Sequence, residues 1–97
     1  MILTKITKDD FLKSLEMGEQ CFTTIYSSRD KIAIIIEWLD FIGFYINVKS
    51  KFGQRKQCER FSFSVKNYNS GFIFDSRNEA TVGAIKKANE IYNLKNK

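Results

Sequence analysis

The sequence predicts an α+β fold: two N-terminal helices, a three-stranded antiparallel β-meander, and a C-terminal helix packed on one sheet face. Three observations carry that reading. Apolar and polar residues alternate over Phe44, Ile46 and Val48 and again over Phe61, Phe63 and Val65, the period of a half-buried strand. A third short apolar run, GFIF at 71–74, follows a turn-rich segment. After it comes a hydroxyl three residues before an acid, Ser76 and Glu79, and then a helical stripe of Ala84, Ile85, Ala88, Ile91 and Tyr92 extended by Thr81.

Ninety-seven residues suit one domain with one modest core. The apolar share of 43% and the nine Phe describe a folded chain whose core is built from rings, not a disordered one. No apolar run has the length of a membrane span and no signal peptide is recognisable, so a soluble, cytoplasmic protein is expected. Cys21 and Cys58 lack CxxC spacing and fit a reducing cytosol, read as one buried thiol and one loop thiol.

Along the chain, residues 1–6 read as an arm or an edge strand. Thr7, with Asp10 three residues on, reads as the start of a helix that presents Phe11, Leu12 and Leu15 to a core and ends near Phe22, with Gly18 weakening its middle. Ser27 and Asp30 repeat the start signal for a second helix over 31–42, with Gly43 as its stop. The run Ile32 to Ile36 alone suits a buried strand as well, and the continuation Glu37-Trp38-Leu39-Asp40 favours helix. That segment carries Ile32, Ile35, Ile36, Leu39 and Ile42 on one face and Ile34, Trp38 and Phe41 on an adjoining one, so more than one neighbour is needed to cover it. Trp38 is expected to be buried. The strands are placed at 44–49, 59–66 and 72–75, with a turn over 67–71, the last helix over 77–92 and a frayed tail at 93–97.

The charge distribution is the most informative functional feature. Between residues 49 and 66 lie Lys49, Lys51, Arg55, Lys56, Arg60 and Lys66 against the single acid Glu59, which equals the net charge of +5 of the whole chain. The rest of the chain is balanced. A basic hairpin of this kind attracts polyanions, because each phosphate it neutralises releases condensed counterion. If the Phe and Val face packs on the helix, Tyr45, Asn47, Lys49, Arg60, Ser62, Ser64 and Lys66 share the opposite face, where they can meet phosphates or base edges. A solvated loop whose lysines keep an edge strand from pairing accounts for the same charges, as does an acidic protein partner. Phe61 and Phe63 superficially resemble the stacking aromatics of single-stranded RNA binders, but their register with Val65 assigns them to the core.

Histidine is absent, removing the commonest general base and the commonest zinc ligand, and the five glycines are isolated, leaving no phosphate-cradling loop. The acid pairs Asp9/Asp10 and Glu37/Asp40 are accounted for by capping and helix surface. The expectation is a non-enzymatic binding protein with no cofactor and no metal. Its partner is DNA or RNA through Tyr45, Asn47, Lys49, Lys51, Arg55, Lys56, Arg60 and Lys66. The alternative is a protein–protein interaction module acting on a host or phage protein, with a homodimer through the Ile34, Trp38 and Phe41 face as one form of it. Neither reading involves a membrane.

Three resemblances bear on this. The order helix, three strands, helix is similar to a double-stranded-RNA-binding domain, and GFIFDSRNEATVGAIKKANEIY resembles that domain's closing segment. That family has a Lys-rich cluster at the start of its last helix, whereas Ser76-Arg77-Asn78-Glu79 stands here. The sheet and helix over 44–92 are also similar to the arm-binding domains of phage-type integrases, which implies DNA reading by the sheet face. Finally, EWLDFIGFYI with FDSRNEA and AIKKANEIY resembles small uncharacterised α+β proteins of phages of Bacteroidetes, which implies an accessory role in a phage or mobile element.

Overall fold

The computed structural model describes residues 2–52 and 59–95. The elements, in order, are α1 (Lys5–Leu15), α2 (Glu19–Ile25), α3 (Ser28–Phe41), β1 (Ile46–Phe52), β2 (Glu59–Val65), β3 (Tyr68–Asn69) and α4 (Arg77–Lys95). The fold is α+β, with an antiparallel sheet in the order β1-β2-β3 and α4 laid against β1 and β2. No helix among the described residues is long and apolar enough to cross a membrane.

Three helices precede the sheet where two are expected. The single helix expected over 7–22 is divided because Glu16 takes a left-handed conformation (φ 55°) and ends α1, after which Gly18 caps α2 in extended backbone. The start of α1 also differs. Its N-cap is Thr4, and Thr7 lies inside the first turn, fully buried. No Thr7–Asp10 capping box forms; the first turn is instead satisfied by Asn89 and Asn93 of α4. Residues 2–4 have no regular structure, and Leu3 is buried in the core. Asn93 therefore holds α1, and α4 continues to Lys95, beyond 92.

The other two helix starts form as the sequence indicates. Ser27 Oγ accepts from Asp30 N–H at 3.2 Å, and Ser76 Oγ accepts from Glu79 N–H at 3.1 Å. The Glu79 carboxylate reaches back to Asp75 N–H. At the end of α3, Gly43 adopts φ 87° while Phe44 N–H bonds Leu39 O at 2.7 Å, the reciprocal helix stop that a residue without a Cβ favours.

The core joins both halves. Leu3, Phe11, Phe22, Ile35, Trp38 and Leu39 meet Phe44 of the α3–β1 connection, Phe63 and Val65 of β2, and Ala84, Ile85 and Ala88 of α4 in one buried cluster. Phe11 stands edge-on to both Phe22 and Trp38, at ring separations of 5.2 and 5.4 Å. Trp38 is buried as expected, while Phe41 at the end of the same helix is 87% exposed. Cys21, read as the buried thiol of the pair, is exposed on α2; Cys58 lies outside the described residues.

The third strand departs most from expectation. It is expected at 72–75 after a turn over 67–71. Instead Lys66 and Asn67 form a two-residue turn with Lys66 at φ 54°, and Tyr68–Asn69 pair at once with Val65 and Ser64. Only Phe74 of the expected strand pairs with β2, by an isolated bridge to Phe61.

Candidate nucleic-acid interface

The β1–β2 register decides which side chains share a face. Ile46, Val48 and Ser50 oppose Val65, Phe63 and Phe61, and this set faces α4. Asn47, Lys49 and Lys51 oppose Ser64, Ser62 and Arg60, and strand alternation turns this second set to the outer face. Phe61 and Phe63 are buried, in line with their assignment to the core.

The eight residues singled out from the sequence distribute unevenly. Asn47, Lys49 and Lys51 are exposed along β1. Arg60 is directly across from Lys51, and its guanidinium is paired with the Asp75 carboxylate, which offsets its charge. Both partners are solvated, so the pair holds Arg60 only weakly. Tyr45 is 69% exposed but precedes β1. Lys66 leaves the outer face: its ammonium lies 4.6 Å from the Phe44 ring, over the α3–β1 connection. It stands at the opposite end of the hairpin from Lys51. Arg55 and Lys56 lie outside the described residues. Of the serines placed on this face, Ser64 is half-buried and Ser62 is buried.

One element of this surface was not assigned to it from the sequence. Ser70 occupies the place opposite Phe63: its N–H bonds Phe63 O, and its hydroxyl accepts from Phe63 N–H, both at 3.0 Å. Phe74 exchanges both backbone bonds with Phe61. The three residues Gly71, Phe72 and Ile73 therefore span the place of a single β2 residue, Ser62. The excess chain is taken up by Gly71 at φ 78° and a tight turn in which Ile73 N–H bonds Gly71 O at 3.0 Å.

This bulge breaks the alternation that would have put Phe72 and Phe74 on the same side. The Phe74 ring packs inward on Phe63 at 5.7 Å. The Phe72 ring instead lies beneath the Lys51 ammonium, 5.7 Å away, on the outer face. Phe72 is 41% exposed and Ile73 is 66% exposed. The sequence signal for this was Gly71 itself, an isolated glycine at the head of an apolar run, which marks a bulge as readily as a turn.

Lys86 and Lys87 are on α4, the helix that covers the inner face. Lys86 is exposed, and Lys87 reaches Glu90 at 3.4 Å and lies 4.4 Å from the Tyr68 ring. The comparisons with protein-family models, curated proteins and solved structures each give no match to this chain.

Proposed function

We propose that this protein is a non-enzymatic binding protein that contacts nucleic acid through its basic β1–β2 hairpin. The observation that carries the reading is the row of Asn47, Lys49 and Lys51 on the outer sheet face, whose two lysines open the segment 49–66 that holds the chain's net +5 charge. The two lysines can neutralise phosphates and the Asn47 amide can hydrogen-bond to them, while α4 covers the other face. The accessory role in a phage or mobile element that the sequence resemblance implies is part of the same proposal.

The test is titration of the protein into labelled duplex DNA, duplex RNA and single strands at low and moderate salt. Contact with about four phosphates gives a log K against log salt slope of roughly −3 to −4. Reversing Lys51, Arg55 and Lys56 to Glu should abolish binding with the fold intact, and Lys86→Glu should have little effect. Binding that ignores the triple reversal, or no binding to any of these probes, overturns the reading.

A second reading is favoured by a separate observation, the exposed Phe41 beside a groove lined by Leu15, Tyr26, Ile34 and Trp38. Large apolar side chains exposed beside an apolar groove mark contact surfaces. On this reading the groove takes a second copy of the chain, each copy seating Phe41 in the other. Sedimentation of the wild type as a dimer and of Phe41→Glu as a monomer is the result this reading expects.

A further inference from the structure

Phe72 is the feature of the outer face that charge alone does not explain. A solvated lysine row needs no aromatic ring beside it, and the turn residues that surround Phe72 would be satisfied by a polar side chain. The bulge over residues 71–73 nonetheless carries Phe72 out of the core and onto the face that holds Lys49 and Lys51. Bulges commonly re-aim a side chain at the edge of a sheet in this way.

Resting on the nucleic-acid reading above, we infer that Phe72, with Lys49 and Lys51 beside it, is a stacking platform for an unpaired base of a single-stranded nucleic acid. A base in a duplex has both faces covered by its neighbours, whereas an unpaired base offers one to a protein ring. Lys51 and Lys49 are two residues apart on β1 and so project from the same face about 7 Å from one another, a spacing that lets them follow a strand's phosphates. The Lys51 ammonium lies over the ring in the free protein at 5.7 Å. An exposed contact of that kind is weaker than base stacking, so a base displaces it and frees Lys51 for a phosphate. Ile73, 66% exposed, widens the apolar strip next to the ring. The surface distinguishes strandedness and not sequence, because every base has a face to stack.

The experiment measures fluorescence anisotropy with labelled oligo-dT and oligo-U of about a dozen nucleotides, each beside a duplex of equal length, for the wild type and three variants. The wild type is expected to bind at least one single strand more tightly than the duplexes. Phe72→Leu keeps an apolar side chain and loses the ring, so single-strand affinity should fall about tenfold with duplex affinity unchanged. Phe72→Trp should retain single-strand affinity and lose part of its indole emission on binding. Lys49→Ala should weaken binding to both forms and make the single-strand salt slope shallower by roughly 0.7. Tighter binding to duplexes, or Phe72→Leu with wild-type single-strand affinity, overturns the stacking inference and leaves the basic hairpin standing if the charge reversals still abolish binding. Absence of binding to every probe overturns both.

Discussion

Thr7 directs both its backbone N–H and its hydroxyl at one atom, Asn93 Oδ1, at 2.9 and 2.8 Å. The two residues are 86 positions apart, and the contact fastens the first turn of α1 to the last turns of α4. Asn89 repeats the arrangement one helical turn earlier, taking Thr4 N–H on its carbonyl and giving its amide to Thr4 Oγ1. A helix start ordinarily draws its acceptor from its own N-cap, but Thr4 makes no such side-chain bond. The Thr7 hydroxyl also has Asn89 O within 3.1 Å, so Asn93→Ala should cost roughly 1–3 kcal/mol, the penalty for leaving the buried Thr7 N–H unpaired. Asn93→Asp keeps an acceptor and adds a negative charge at the positive end of α1, so it should recover part of that loss. Denaturant unfolding of the two variants checks the order; equal stability of Asn93→Ala and wild type would show that the clasp is not needed.

This clasp also shows which parts of the fold were legible in the sequence. Ser27, Ser76 and Gly43 each act through a bond to a residue three positions away, and each appears where the pattern places it. The two long strands follow from alternation, which constrains β1 and β2 together because a slip of one residue would expose Phe61, Phe63 and Val65 as a set. The start of α1 was not legible, because its acceptors come from the far end of the chain and local spacing made Thr7 and Asp10 look like a pair. The break after Leu15 depends on Glu16 accepting a left-handed backbone, which its side chain does not announce. At the candidate interface, alternation indicated Asn47 and Lys49 on the outer face. Lys51, read as a loop residue beyond a strand ending at 49, joins their row because β1 starts at Ile46 and runs on to Phe52. The positions of Phe72, Asp75 and Lys66 depend on a bulge, an ion pair and a turn that period-two counting does not contain.

Tyr92 should make stability fall with rising pH in the alkaline range. Its hydroxyl donates to Asp10 Oδ2 at 2.6 Å, and that bond, then burial, then the carboxylate's charge raise the phenol above its ordinary value. The unfolded chain releases this proton near pH 10 and the folded chain only above it. Between those two values the unfolded state binds fewer protons, so the contribution is complete below about pH 10 and is lost as pH rises through the interval. Tyr92→Phe should show a shallower decline as pH rises past about 10. Parallel curves for the two proteins would contradict the assignment.

Trp38, the single tryptophan, should report on the helical half of the core. It is edge-on to Phe11 at 5.4 Å and tilted against Tyr92 at 5.8 Å. Its emission should lie well to the blue of the unfolded protein's and resist quenching by iodide. Phe11 is fully buried between Phe22 and Trp38, and Phe11→Ala should cost about 3–5 kcal/mol through the cavity it leaves. Exposed-indole emission from the native protein would contradict the packing described.

Gly83 is the position where helix propensity and packing make opposite predictions. It lies in the middle of α4, and replacing a mid-helix glycine with alanine ordinarily stabilises by about 1 kcal/mol. A Cβ at this position would stand 2.8 Å from Phe74 Cζ and 3.2 Å from Phe63 Cε2. Phe63 is buried and its ring is packed against those of Tyr68 and Phe74, so the clash falls on two rings that hold each other in place. Overpacking of this kind costs about 1–3 kcal/mol, which outweighs the gain in propensity. Gly83→Ala should therefore lower the thermal midpoint. In a Phe74→Leu background the shorter side chain removes the closest contact, and the same substitution should become neutral or stabilising. The comparison of the four proteins isolates the coupling between α4 and the Phe74 bridge. A higher midpoint for Gly83→Ala in the wild-type background would show that α4 does not approach the sheet as closely at this point.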